Sequence, residues 1–326
     1  MIELIGRFPE ADQAAASAVR ARAADILRPA GALQRLDDLA AWLAGWQRTT
    51  RPHVEAPGAV VFVADHGVAA EGVSAYPAAV TAEVLRALRD GVATANAMAR
   101  ALGVTLSIVD VGVGRPSGNI LVEPALRPDT FEEAIAAGRR AVAELGADVL
   151  VLGEMGIANT TPAAAVCAAL YGGPAEVWTG RGTGVDDETF ARKLAVVTRS
   201  VQRIAHVSDP LEILREVGGS ELAAIAGAIA EARVRSIPVL LDGFVVGAAA
   251  AVLDRACPGA LEHCLAGHRS TEPGHALLLE KLGMEPLIDL GLRLGEGSGA
   301  LLALPLVRLA VAAVTDVATF EEWGLT

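Results

Sequence analysis

Residues 148–162 read DVLVLGEMGIANTTP, and on this stretch the fold turns. The run DVLVLG (148–153) is short and aliphatic, with no polar alternation after Asp148, which suits a strand covered on both faces. Glycines and an acid interrupt it. Asn159 or Thr160 then suits a helix N-cap and Pro162 the first helical turn, where a missing N–H costs nothing. A strand leading through a glycine turn into a helix is half of a βαβ unit. The same pattern recurs outward from it. AVVFVA (59–64) runs into Asp65-His66-Gly67, TLSIVDV (105–111) into a glycine-rich turn, and IPVLLD (237–242) into Gly243; LEHCLAG (261–267) is a weaker strand candidate. Helical segments are predicted over 77–102, 132–145, 161–170, 187–205 and 219–234. Strands alternating with helices indicate an α/β fold: a doubly wound, mainly parallel sheet with helices on both faces.

The two ends of the chain read differently. Two amphipathic helices are predicted over 10–27 and 33–46, separated by Pro29 and Gly31, and 272–321 reads as mostly helical, broken by Pro286, Pro305 and Gly295/Gly297/Gly299. The expected organisation is an N-terminal helical part (1–50), an α/β core (51–290) and a C-terminal helical segment (291–326), the two ends forming a smaller helical subdomain.

Composition excludes several functions. With 52% hydrophobic and 20% charged residues over 326 positions, the chain is too apolar to stay disordered. Its formal charge is -12 and it has no basic run, so it lacks the footprint of a nucleic-acid or anionic-membrane binder. Any phosphate must be caught locally, by backbone N–H groups and a few cations. The uncharged run 155–175 contains Asn159, Thr160, Thr161, Pro162 and Gly172-Gly173, which is too polar for a bilayer span. The start, MIELIGRFPEAD, carries Glu3 and Arg7 and has no signal-peptide core. Cys167, Cys257 and Cys264 show no CxxC spacing, as expected of reduced thiols in a cytoplasmic protein.

Parallel sheets bind ligands beyond the carboxyl ends of their strands, and polar or glycine-rich turns follow there. Asp65-His66 is either half of an acid–base pair or a turn whose His packs inside. Gly112-Val113-Gly114 fails as a dinucleotide fingerprint, since its last spacing is one residue too long and Pro116 spoils the helix start. Glu154 is either a site carboxylate or a packing group, and Asn159-Thr160 at a helix start can hold an anion. Gly180-Arg181-Gly182-Thr183-Gly184 is a phosphate nest or a flexible loop, with Lys193 one or two helical turns later. Glu296, among glycines after Leu294, either caps a helix or serves as a general base raised by apolar surroundings.

Six blocks together, DHGVAAEGVSAYP (65–77), GEMGIANTTPAAA (153–165), GRGTG (180–184), VGGSELAAIAGAI (217–229), PVLLDGF (238–244) and RLGEGSGAL (293–301), resemble one family in its own order. It is the nicotinate-nucleotide:5,6-dimethylbenzimidazole phosphoribosyltransferase family of cobalamin lower-ligand assembly. The resemblance implies transfer of phosphoribose from nicotinate mononucleotide to the benzimidazole, with inversion at C1′, and it implies no cofactor and no metal. Glu296 matches the family's catalytic base, which places that base in the C-terminal segment. Glu154 matches an active-site carboxylate near the ribose or base. Asn159, Thr160, Gly180, Gly182, Gly184 and Lys193 match the region around the nucleotide phosphate, and Gly156, Arg181 and Thr183 in the same blocks fall on substrate-binding positions. Asp242, Gly243 and Ser270 fall on further pocket positions, and Ser74 and Tyr76 on the wall of the benzimidazole pocket. Ala78 and Ala79 stand where many relatives carry longer polar residues, which bears on the preferred base. The resemblance also implies a homodimer. Two other functions remain compatible with these residues: a nucleotide-binding homologue without turnover, and a same-fold transferase for another lower-ligand base.

Overall fold

A computed structural model describes residues 8–182 and 184–325. Its first half runs α1 (Gln13–Asp25), α2 (Gln34–Gln47), β1 (Gly58–Ala64), a short 3-10 turn (Gly67–Glu71), α3 (Val80–Arg89), α4 (Thr94–Leu102), β2 (Thr105–Gly112), α5 (Pro128–Leu145) and β3 (Leu150–Met155). It continues with α6 (Thr160–Tyr171), α7 (Ala175–Trp178), α8 (Asp187–Arg203), α9 (Pro210–Val217), α10 (Ser220–Val234), β4 (Val239–Leu241) and α11 (Phe244–Ala256). The last elements are β5 (Cys264–Ala266), β6 (His268–Ser270), α12 (Pro273–Leu282), β7 (Ile288–Leu292) and α13 (Ser298–Thr315).

Strands β1 to β5 form one wholly parallel sheet in the order β2-β1-β3-β4-β5. Every residue of β1 is buried, as its unbroken apolar run requires. Val60, Phe62, Leu150, Leu152 and Leu241 face one core with α5, α6, α8, α10 and α11. Val61, Val63, Val149, Val151 and Leu240 face the other, with α3, α4 and α13. Helices therefore cover both faces. The chain leaves β1 for β2 on one side and returns to β3 on the other, so the winding reverses between β1 and β3. At such a reversal the connecting turns diverge and leave a crevice.

The chain ends meet. Val19 and Ala23 of α1, Ala40, Ala41 and Ala44 of α2, and Val314 of α13 pack as a separate small cluster, and Ile26 bridges Thr319. Helix α13 is long and apolar enough to cross a membrane. Leu301, Leu304 and Val307 on it are nevertheless fully buried against the sheet, so its hydropathy belongs to the core.

Several local expectations need correction. The single helix expected over 77–102 is two, α3 and α4, separated at Gly91, whose φ of +76° is a left-handed value that glycine adopts without strain. Helices α9 and α11 were not expected. Ten of the thirteen residues of α11 are buried, so its sequence is apolar nearly all round and carries no 3.6-residue stripe. Within the tail read as mostly helical, β7 pairs in parallel with β6 as a second, two-stranded sheet. Most of β7 is exposed, so it lacks the apolar run that marks the other strands.

Candidate active site

The carboxyl ends of β1, β3 and β4, with the turns that follow, enclose a cavity of about 260 Å³ at the winding reversal. At one side stands Glu296, not on a helix but in the turn between β7 and α13. Gly295, Glu296 and Gly297 all have left-handed φ, at +87°, +61° and +75°. For a residue with a side chain that conformation is uncommon and is held only by its surroundings. Those surroundings are explicit. The Glu296 N–H donates to the Glu154 carbonyl at 2.9 Å. Asp242, at the end of β4, accepts the N–H groups of Gly297 (3.2 Å), Gly299 (2.8 Å) and Ala300 (3.0 Å), satisfying the orphan donors at the start of α13. The turn also lies flat on β3. A Cβ on Gly153 would stand 2.2 Å from the Gly297 nitrogen, so the strand must carry glycine there. The Glu296 carboxylate accepts the Ala95 N–H at 3.2 Å, at the start of α4. Burial, helped by Asp242, raises its carboxyl above the usual range, and the Ala95 bond works against that shift.

Glu154 projects from the end of β3, in register with Phe62 of β1. The Asn159 amide donates to its Oε2. That bond explains why Asn159, although it is the N-cap residue of α6, makes no side-chain cap there. Burial first, then the charges of Glu221 and Asp242, push the Glu154 carboxyl up to about 8.

At another side of the cavity the groups are cationic. The Lys193 ammonium is buried and donates to Thr160 Oγ1 at 2.8 Å and to the Gly180 carbonyl at 2.9 Å. Burial pushes it down to about 8, and the Glu272 carboxylate opposes the shift. Gly182 lies beside it, and Arg181 and Arg293 line the same wall. Helix α6 aims its N-terminus at this point. A lysine and a hydroxyl at a helix start, with the positive end of the helix dipole, form an anion site. Between the two ends the walls are apolar, from Val73, Val80, Val84, Ile157 and Phe244, with Ser74 and Tyr76 among the lining residues. Tyr76 is half exposed and the Ser74 hydroxyl accepts its N–H at 3.2 Å. The arrangement can hold an anion, seat a flat apolar ring and take a proton within one enclosure.

The structure brings Ser74, Tyr76, Glu154, Gly156, Asn159, Thr160, Arg181, Gly182, Lys193, Asp242, Gly243, Ser270 and Glu296 to this one cavity. Gly180 reaches it only through the carbonyl that holds Lys193. Gly184 lies outside the lining, near Arg293, and Thr183 falls outside the described residues. Both oxygens of Asp242 are taken by backbone N–H groups. Sequence reasoning missed Glu221, Glu272 and Arg293. Glu272 packs against the glycine before Arg181, where a Cβ on Gly180 would stand 2.1 Å from its Oε2, a contact between segments about ninety residues apart that no local pattern signals. Of the histidines whose role the residues left open, His268 lines the cavity and His66 lies behind it against Glu221. His275 accepts the Ser270 N–H, and burial pushes it down to about 3.

Comparison with known proteins gives consistent matches. A family model described as phosphoribosyltransferase matches residues 8–325. The nicotinate-nucleotide–dimethylbenzimidazole phosphoribosyltransferase of Cereibacter sphaeroides is 48% identical over 98% of this chain and 94% of its own. That of Ruegeria pomeroyi is 49% identical over 99% and 96%. Among solved structures, CobT from Thermus thermophilus superposes with a TM-score of 0.92 at 42% identity, covering 96% of this chain and 99% of that one.

Proposed function

Since the chain belongs to the nicotinate-nucleotide–dimethylbenzimidazole phosphoribosyltransferase family, we propose that it moves the phosphoribosyl group of nicotinate mononucleotide onto 5,6-dimethylbenzimidazole. The products are nicotinate and α-ribazole 5′-phosphate, a step in building the nucleotide loop of cobalamin. The observation that carries this reading is one cavity with a sequestered carboxylate, Glu296, on one wall and a buried ammonium, Lys193, at a helix N-terminus on another.

Lys193, Thr160 and the start of α6 take the 5′-phosphate, with Arg181 and Arg293 adding charge. The apolar walls hold the benzimidazole ring. Its unprotonated nitrogen attacks C1′ from the face opposite nicotinate, forming the new N–C1′ bond. The old N–C1′ bond breaks, and its electron pair quenches the pyridinium charge of the leaving ring. Attack from the opposite face converts a β-nucleotide into an α product. Glu296 takes the proton from the other ring nitrogen, so the charge gained by the benzimidazole does not persist. Holding both rings in line supplies much of the remaining acceleration.

The protein works as a cytoplasmic homodimer in this reading. Cys167, Cys257 and Cys264 are free thiols, which suits a reducing compartment. Leu302 and Leu309, seven residues apart on the outer face of α13, offer exposed apolar surface for a second copy.

The test is product analysis after mixing the protein with nicotinate mononucleotide and an equimolar panel of benzimidazoles, adenine and phenol. Stoichiometric nicotinate with α-ribazole 5′-phosphate is expected. A different ribosylated base would reassign the acceptor, and bound nucleotide without any nicotinate would overturn the transferase reading.

A further inference from the structure

One buried carboxylate of the cavity wall has no task in the reaction described above. Glu272 is 7% exposed and lines the cavity. It is the N-cap residue of α12, where an acid ordinarily accepts helix N–H groups, yet its side chain makes no cap bond. Its Oε2 is buried and has no hydrogen-bond partner among the described residues. The backbone that carries it is fixed. The Glu272 N–H donates to Ser270 Oγ at 3.3 Å, its carbonyl accepts the His275 N–H at 2.9 Å, and His275 Nδ1 accepts the Ser270 N–H at 3.0 Å. The facing backbone is cleared for the carboxylate: a Cβ on Gly180 would stand 2.1 Å from Oε2 and 2.7 Å from Cδ. The carbonyl of that same glycine accepts the Lys193 ammonium at 2.9 Å, so Glu272 stands beside the anion site. A buried carboxylate without a partner lowers stability, and the fold alone does not account for it.

We propose that Glu272 is a substrate-binding residue whose carboxylate accepts a hydrogen bond from a ribose hydroxyl of the nucleotide. The inference deepens the transferase reading and takes its nucleotide from it. Chemistry selects the hydroxyl. A carboxylate only accepts, so its ligand must offer a donor. The 5′-phosphate and the nicotinate carboxylate are anions, which it repels, and the benzimidazole N–H goes to Glu296 in the proposed reaction. The 2′- and 3′-hydroxyls of the sugar are the donors left. The sugar is also the part of the nucleotide joined directly to the phosphate, and the phosphate site is what adjoins Glu272, across Gly180. With Oε2 packed on Gly180, Oε1 is the oxygen left for the ligand. A hydrogen bond to an ionised acceptor is stronger than one between neutral groups. Fixing the sugar in this way holds C1′ in line between the two rings.

Kinetics of the whole protein with nicotinate mononucleotide and its 2′-deoxy and 3′-deoxy analogues test this. The wild type should lose about 10–100-fold in kcat/KM with at least one analogue. In Glu272→Ala the natural nucleotide should suffer that loss already, and removing the hydroxyl should then change little, so the ratio of natural to deoxy substrate falls close to one. Glu272→Gln keeps a neutral acceptor and should give an intermediate ratio, which decides the matter if the alanine variant does not fold. A wild type indifferent to both hydroxyls overturns the proposal. So does a ratio unchanged in the variants, because an equal loss with every nucleotide is the mark of an effect through Lys193 alone. Calorimetric binding of the same three nucleotides separates this role from the transferase reading. Hydroxyl discrimination in binding that the variants abolish, with no nicotinate released by the wild type, discards the transferase reading and keeps this role. No binding of any of the three discards both.

Discussion

Glu296 shows how much backbone is spent on one side chain. Three consecutive left-handed residues, the Asp242 clamp and the Glu154 carbonyl all serve to present a single carboxylate beside the start of α4. Replacing it by Gln keeps the size and removes the proton acceptor. Glu296→Gln should lower kcat by about 10²–10⁴-fold, while calorimetry still shows nicotinate mononucleotide bound. The pH dependence has a definite sign. A base at Glu296, as proposed, acts only when ionised and its carboxyl is raised, so kcat/KM of the wild type should fall on the acid side at a pH above the ordinary glutamate range. That limb should vanish from the residual activity of the variant. Most of these residues were legible in the sequence because glycines flank them. The alternatives at Glu154 and Glu296 were not separable there, because a helix-capping glutamate and a buried base leave the same letters. In the structure Glu296 is buried at the cavity and its carboxylate also accepts an N–H at the start of α4.

Among the elements, β3 and the turn before α13 depend on each other. Gly153 is the point of contact, and a methyl group there meets backbone, which cannot rotate away as a side chain does. Gly153→Ala should cost about 1–3 kcal/mol in urea unfolding and reduce kcat, because the turn that lifts away carries Glu296. The four clear strands were legible because each is a short aliphatic run ending in a polar turn. Helix α11 was not, since burial on nearly all sides erases the periodic stripe that marks a helix. The division of α3 from α4 was also missed. It turns on Gly91, and its use is to aim the start of α4 at a carboxylate two hundred residues away.

Across the whole molecule, the N-terminal helices brace the sheet that carries the site. Trp46 of α2 is buried, donates to the Glu262 carbonyl at 3.1 Å, and lies beneath the Arg233 guanidinium at 4.3 Å. Trp46→Ala should therefore cost about 3–5 kcal/mol, measured by guanidinium unfolding, although it touches nothing in the cavity. The sequence by itself determined the α/β class, the family and the residue types of the site, because buried strands, helix starts and glycine turns are local patterns that short segments carry alone. Only the tertiary structure decided the surroundings of each acid. The field at Glu154 comes from Glu221 and Asp242, and the bond on Glu296 from Ala95, and these are distant in the chain and adjacent only after the sheet has wound. A charge in a low-dielectric interior is set by what folding places beside it, and no local pattern records that.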